Sequence, residues 1–149
     1  MLRTALTHPD ILRAAARAGH HATILIADGN YPASTKRGPN AELVSLNLSP
    51  GVVTCDQALS ALLSAIPVEA VHVMQTEPDG PYALGGDPPV WADYRATIAA
   101  AGLDLPLTEV DKWGFYERVE TPDHVLTIQT ADQQRYANVL LTVGVRMGA

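Results

Sequence analysis

Helical segments alternate with short apolar strands along most of this 149-residue chain, and that alternation limits the folds open to it. The clearest strand is the apolar run Thr23–Ala27, which stops at Asp28 before the turn-forming residues 29–32. Such alternation is typical of an α/β fold with a largely parallel sheet. Further strands are predicted at 43–46, 70–75, 107–110, 124–130 and 137–143. Helices are predicted at 9–18, 55–66, 90–101 and 112–119.

Residues that favour helix ends flank these segments. Thr7 or His8 is expected to cap the first helix, and Gly19 is expected to end it. Residues 54–57 match a capping box, in which a threonine and a glutamine three residues later bond each other's backbone N–H. Gly102 is expected to end the third helix.

The last two predicted strands are joined by residues 131–136 only. A parallel crossover usually needs a dozen or more residues. We therefore expect this pair to be antiparallel or not adjacent in the sheet. The chain has no internal repeat and no linker, so residues 1–149 are predicted to form a single domain.

Composition excludes several classes of function. The net charge is −6 and the 10 basic residues are scattered, which argues against a nucleic-acid partner. A single cysteine, Cys55, allows no internal disulfide and fits a reducing compartment. The first ten residues form no apolar signal segment, and no apolar run approaches the roughly 20 residues of a membrane span. We expect a cytoplasmic protein.

The signatures of phosphate, dinucleotide and metal sites are absent from the sequence. There is no P-loop, no G-x-G-x-x-G after the first strand, no H-E-x-x-H and no G-x-S-x-G. The pair His20–His21 offers two imidazoles, but adjacent residues on a strand point to opposite faces. On that ground we expect no metal and no other cofactor.

Titratable side chains stand at both ends of the first strand. Ligands of open α/β sheets usually lie beyond the carboxyl ends of strands, which makes Asp28 a candidate site residue. An aspartate before a glycine also forms turns, so this role stays open. Histidine side chains can carry protons in both directions under physiological conditions, so His20 suits a proton shuttle, or it is a helix-terminal histidine stabilised by the helix dipole.

Two other segments are rich in polar and aromatic groups. Tyr136 and Asn138 are two residues apart, which places them on one face of a strand, where they could hold sugar hydroxyls or serve as strand-edge residues. The segment 112–118 concentrates charge and aromatic rings, and its alternative is a surface helix with Trp113 and Tyr116 packed on the core.

A series of short motifs occurs in a fixed order along nearly the whole chain. It comprises G-H at 19–20, an apolar strand ending at Asp28, a proline at 32, F-Y-E-R at 115–118, and Y-A-N at 136–138 followed by V-L-L-x-x-G. Together these motifs resemble the RbsD/FucU family of ribose pyranases and fucose mutarotases. The F-Y-E-R segment and the chain length are more similar to the fucose branch.

The resemblance implies a three-layer α/β/α domain with helices on both sides of a mostly parallel sheet. It also implies a homo-oligomer, often a decamer, with sugar sites at subunit interfaces. The implied activity is interconversion of the anomers or ring forms of a free reducing sugar, L-fucose or a related one. By position His20 matches the catalytic histidine. The residues that match the sugar-binding positions are Asp28, Lys112, Tyr136, Ala137 and Asn138.

Two positions depart from the family pattern. Lys112 stands where the fucose branch usually has arginine and the ribose branch histidine, and lysine lacks the bidentate fork of arginine. Asn30 stands where many fucose members have histidine. These departures leave the sugar open. D-ribose pyranase and a non-catalytic sugar-binding or regulatory protein remain the alternatives.

The spacing of His20 and Asp28 sets a geometric condition on any shared site. A strand over 22–27 rises about 20 Å at roughly 3.3 Å per residue. The two side chains of one chain would then lie at opposite ends of the strand. Either the segment before the strand curls back, or His20 meets the Asp28 of a neighbouring subunit.

Overall fold

A computed structural model describes residues 1–148 of the chain. Its strands and helices alternate as predicted, including the weakly patterned strand near residue 43. The helices are α1 (Pro9–Arg17), α2 (Cys55–Leu63), α3 (Pro89–Ala100) and α4 (Lys112–Val119). The strands are β1 (Thr23–Ala27), β2 (Glu42–Ser45), β3 (Val68–Met74), β4 (Leu107–Val110), β5 (His124–Gln129) and β6 (Val139–Val143).

The six strands form one mixed sheet in the order β2-β5-β1-β6-β3-β4. β6 runs antiparallel to both of its neighbours, β1 and β3, and every other pair of neighbours is parallel. β5 and β6 are not adjacent, because β1 lies between them. The predicted α/β fold with a mostly parallel sheet is confirmed, and the short connection before β6 leads to the reversed strand.

Helices pack on both faces of the sheet, and β1 is therefore buried on both sides. Ile24 and Ile26 pack in a cluster with apolar residues of α1, α2 and α3. Leu25 and Ala27 point to the other face and pack with Phe115 and its neighbours around α4. A strand buried on both faces requires a continuous apolar run, which is what residues 23–27 supply.

The predicted helix ends are confirmed at three places and wrong at one. His8 caps α1 by accepting from the Ile11 N–H, the capping box at 54–57 is formed, and Gly102 follows α3 with φ +79°. Gly19 does not end α1. The helix stops at Arg17 because Ala18 adopts extended backbone and its N–H closes the last turn, so no left-handed residue is needed there.

The left-handed conformation falls instead on His21, with φ +71°. The His21 N–H donates to the carbonyl oxygen of Val143 at 3.0 Å, which fixes the turn before β1 against the end of β6. Within residues 1–148, none of the helices has the length and apolar character that crossing a bilayer requires.

Candidate functional site

A cavity of about 510 Å³ opens at the edge of the sheet where β1, β3 and β4 end. Because β6 is reversed, the residues that precede it reach the same edge. Side chains from all four strand ends therefore converge there. Those predicted from the sequence as sugar-binding are Asp28, Lys112, Tyr136 and Asn138.

Asp28 and Asn138 form a reciprocal pair at the base of this cavity. The Asp28 N–H donates to Asn138 Oδ1 at 2.8 Å, and Asn138 Nδ2 donates to Asp28 Oδ2 at 3.0 Å. The other Asp28 oxygen accepts from the Asn30 N–H at 2.9 Å, so the residue also forms the turn that its sequence predicted. Its two readings are therefore compatible: Asp28 shapes the turn and lines the cavity.

The environment of Asp28 changes its acid–base behaviour. The side chain is buried, with 3% of its surface exposed. Burial disfavours the charged carboxylate and raises the pKa of Asp28 to about 6, although backbone N–H donors partly offset this. A group with a pKa near neutrality can accept and release protons under physiological conditions.

Tyr136 stands beside this pair in a strained conformation, with φ +60°. Its hydroxyl donates to the carbonyl oxygen of Tyr82 at 2.9 Å and accepts from the Glu77 N–H at 3.1 Å. The phenol thereby fastens the segment that follows β3 over the cavity. The hydroxyl hydrogen of Tyr136 is used to hold this segment, and the predicted sugar-binding role of the residue stays a prediction.

Segment 136–138 lies just before β6 rather than within it, and α3 holds its backbone. Trp91 Nε1 donates to the Tyr136 carbonyl oxygen at 3.2 Å, and the Tyr94 hydroxyl donates to the Ala137 carbonyl oxygen. Both aromatic side chains are buried. Ala137 is fully buried and is not among the residues that line the cavity, and its predicted sugar-binding role stays a prediction.

Lys112 is the first residue of α4, which begins just after β4, and its side chain lines the cavity. Its Nζ lies 3.3 Å from Glu77 Oε1 and 5.5 Å from the centre of the Trp113 ring. The hydrogen bond with Glu77 raises the pKa of Lys112, so the ammonium stays charged at neutral pH. Trp113 itself is 66% exposed, so the alternative for this segment, in which the Trp113 ring packs on the core, is wrong for that ring; Phe115 lies in the core instead.

His20 lies outside this cavity, near the amino end of β1. It is exposed, and its Nε2 lies 3.0 Å from Glu69 Oε2. β1 spans five residues, about 16 Å at roughly 3.3 Å each, which separates His20 from Asp28 within one chain. The segment before β1 does not curl back to the cavity.

The sequence did not identify several residues that line the cavity. Glu77 and Tyr82 follow β3, and Arg135 precedes the tyrosine of the Y-A-N motif. The rule that ligands lie beyond the carboxyl ends of strands applies to β3 as well as to β1 and could have identified Glu77. No pattern in the sequence indicated Tyr82 or Arg135, because their placement depends on how the loop folds over the cavity.

Comparison with known proteins places the chain in a family. The sequence matches the RbsD / FucU transport protein family over residues 1–146, and the chain belongs to that family. It is 30% identical over 148 residues to the fucose mutarotase of Homo sapiens, covering 95% of this chain and 90% of that one. It is 32% identical over 145 residues to a D-ribose pyranase of Paracidovorax citrulli, covering 97% and 98%.

A solved structure of a relative has a fold similar to that of this chain. The fucose mutarotase of Streptococcus pneumoniae, in complex with L-fucose, aligns with a TM-score of 0.78 and 25% identity, covering 99% of this chain and 100% of that one. The resemblance read from the motifs is thus confirmed at the level of the family and the fold.

Proposed function

We propose that this protein is an aldose mutarotase, which interconverts the anomers or ring forms of a free reducing monosaccharide, L-fucose or a related sugar. The observation that carries the proposal is the buried Asp28–Asn138 pair at the base of a cavity large enough for a small ligand. Its relatives named fucose mutarotase and D-ribose pyranase support the same class of reaction.

The cavity offers both kinds of polar group that a sugar requires. Asp28 presents carboxylate oxygens that accept from sugar hydroxyls, and Lys112 presents N–H donors beside Glu77. Tyr136 contributes its ring and holds the segment over the cavity. Lysine is a point-charge donor, so its ammonium donates to a hydroxyl oxygen from a wider range of directions than the fixed fork of arginine does.

The reaction needs one proton removed and one proton supplied. A base takes the proton of the anomeric hydroxyl while an acid protonates the ring oxygen, and the hemiacetal opens to the aldehyde. Rotation about the bond to the carbonyl carbon and reversal of the transfers close the ring on its other face. We assign the acid–base role to His20, because imidazole exchanges protons in both directions near neutral pH.

The proposed assembly follows from the separation of His20 and Asp28 within one chain. We assign each complete site to two chains of a homo-oligomer, with Asp28 from one and His20 from its neighbour. If His20→Ala and Asp28→Asn chains are mixed at random, about one quarter of shared sites contain both intact groups. Mixed oligomers should therefore recover up to that share of activity, whereas no recovery would place the whole site within one chain.

The activity itself is tested by exchange NMR on L-fucose, D-ribose and related aldoses, with and without the protein. Faster anomer exchange for a subset of sugars supports the enzyme, and the preferred sugar distinguishes a fucose mutarotase from a ribose pyranase. Wild-type protein that binds sugars yet exchanges them no faster than buffer would favour the non-catalytic sugar-binding alternative.

A further inference from the structure

The turn before β1 brings three metal-ligating side chains together, far from the cavity. His20, His21 and Glu69 each offer one ligand atom, and these atoms all lie within 4.8 Å of one another. His20 Nε2 lies 3.0 Å from one Glu69 oxygen, and His21 Nδ1 lies 3.3 Å from the other. We propose that His20, His21 and Glu69 form a binding site for a divalent transition metal ion such as Zn²⁺.

The backbone explains why two adjacent histidines reach the same carboxylate. The expectation that they point to opposite faces applies to a strand, and here both residues lie in the turn before β1. His21 adopts φ +71°, and the two rings stack with centroids 3.7 Å apart. Left-handed backbone at a residue other than glycine is costly and is found preferentially at functional sites.

Glu69 is fixed from the opposite side of the turn. It lies on β3 where the pairing register with β6 shifts between Val68 and Ala70. Gly144, which follows β6, packs against it so closely that an added Cβ would lie 3.2 Å from the Glu69 Cβ. The hydrogen bond from His21 to Val143 ties the histidine turn to this same corner of the sheet.

The donor set determines which ion fits. Two imidazole nitrogens and a carboxylate suit Zn²⁺, Cu²⁺ or Ni²⁺, whereas Mg²⁺ and Ca²⁺ prefer oxygen ligands. Zinc sits about 2.0–2.1 Å from imidazole nitrogen, so a cation between the three atoms needs only small side-chain shifts. In the single chain all three side chains are partly exposed, which gives an ion an entry path and leaves water to complete its coordination.

Metal binding would have a consequence for activity, and this consequence rests on the proposed function. An imidazole that ligates a metal uses the lone pair that it would otherwise use as a base. The ion would therefore inhibit the mutarotase by occupying His20. His21 and Glu69 would then serve as regulatory ligands that contact the catalytic histidine without contacting the sugar.

The test is calorimetric titration of the full-length, chelator-treated protein with Zn²⁺, and in parallel with Mg²⁺. Wild type should bind one Zn²⁺ per chain and no Mg²⁺ at the same concentrations. Glu69→Gln and His21→Asn should each weaken Zn²⁺ binding by at least about tenfold. Asparagine tolerates left-handed backbone, and glutamine keeps the size of glutamate, so both variants should fold by circular dichroism.

Matched controls carry the same changes away from the turn. Glu109→Gln alters an exposed glutamate on β4, and His8→Asn preserves an acceptor at the cap of α1. Both should bind Zn²⁺ like wild type. Unchanged Zn²⁺ binding in Glu69→Gln and His21→Asn, or no saturable binding by wild type, would overturn the proposal.

Inhibition by Zn²⁺ is measured separately from Zn²⁺ binding, so that a failure of the proposed metal site can be distinguished from a failure of the proposed mutarotase function. Zn²⁺ should slow sugar exchange by wild type at the concentrations that saturate the site. It should affect His21→Asn much less, relative to the metal-free rate of that variant. Wild type that binds Zn²⁺ but lacks exchange activity without metal would contradict the proposed function and leave the metal site in place.

Discussion

Each end of β1 is followed or preceded by a titratable side chain, but the two side chains lie in opposite surroundings: one is buried and the other is exposed. At the carboxyl end Asp28 is 3% exposed, paired with Asn138 and desolvated. At the amino end the His20 side chain is 43% exposed and contacts Glu69, whose side chain is 39% exposed. A buried end holds a ligand with fixed geometry, whereas an exposed end is free to meet another molecule. This contrast fits the proposal above that each site is shared between two chains.

The largest effect is expected from the exposed end. His20→Ala should reduce sugar exchange by roughly 100-fold or more, the usual contribution of a positioned acid–base group, while sugar binding to the cavity persists. Exchange NMR measures the rate and calorimetry the binding. His8→Asn, altered at a histidine outside either region, should retain full activity. Equal activity of His20→Ala and wild type would show that the amino end of β1 takes no part in the reaction.

A buried histidine at the amino end should make stability rise with pH. His124 pairs with Thr23 of β1 and is fully buried, and burial lowers its pKa to about 4. The unfolded chain then binds more protons than the folded one between pH 4 and 6.5, so stability is lost on acidification through that range. The free energy of unfolding of wild type, minus that of His124→Gln, should increase by roughly 3 kcal/mol from pH 4 to pH 7.

The buried end should show the opposite slope. The raised pKa of Asp28 means that the folded chain binds the extra proton, so its contribution to stability is present at low pH and is lost as pH rises through about 6. The free energy of unfolding of wild type, minus that of Asp28→Asn, should fall by roughly 2.4 kcal/mol between pH 4 and pH 7. Urea titrations at several pH values measure both differences. A flat difference for Asp28 would mean that water reaches its carboxylate.

The smallest effect concerns the segment held over the cavity. Tyr136→Phe removes one donor and one acceptor and should cost about 1–2 kcal/mol of unfolding free energy. Hydrogen exchange of the Glu77 amide should accelerate, since this N–H loses its partner. Tyr82→Phe is the control, because that ring is exposed and only its backbone carbonyl accepts from Tyr136. Unchanged exchange at Glu77 would show that the segment is held by other contacts.

The sequence predicted the elements of the fold well, because their signals are local. The capping box at 54–57 and the apolar run of β1 each determine their structure over a few residues. The short connection before β6 even limited the topology. The residue expected to end α1 was wrong because extended backbone at Ala18 closed that helix, and the left-handed turn was placed at His21 by a bond to Val143.

The candidate site was predictable only in part, for a related reason. Asp28, Lys112 and Asn138 follow or precede strands and converge on one edge by topology alone. The partners of Tyr136 lie on a loop whose path depends on the packed fold, so its hydroxyl could not be assigned from spacing. The same holds for Glu69, which meets the histidines only because β3 and β6 are paired.

The central position of β6 bears on how the chain acquires its structure during synthesis. Among the strands of residues 1–148, β6 alone joins the group β2-β5-β1 to the pair β3-β4, and it is the last of these six strands to be made. Asp28 and Asn138 are 110 positions apart in sequence, so the entropy cost of closing a long loop must be met before this pair can form. Ligand binding is therefore expected to emerge late, in one step with completion of the sheet, so that an incomplete chain has no partly formed site to occupy.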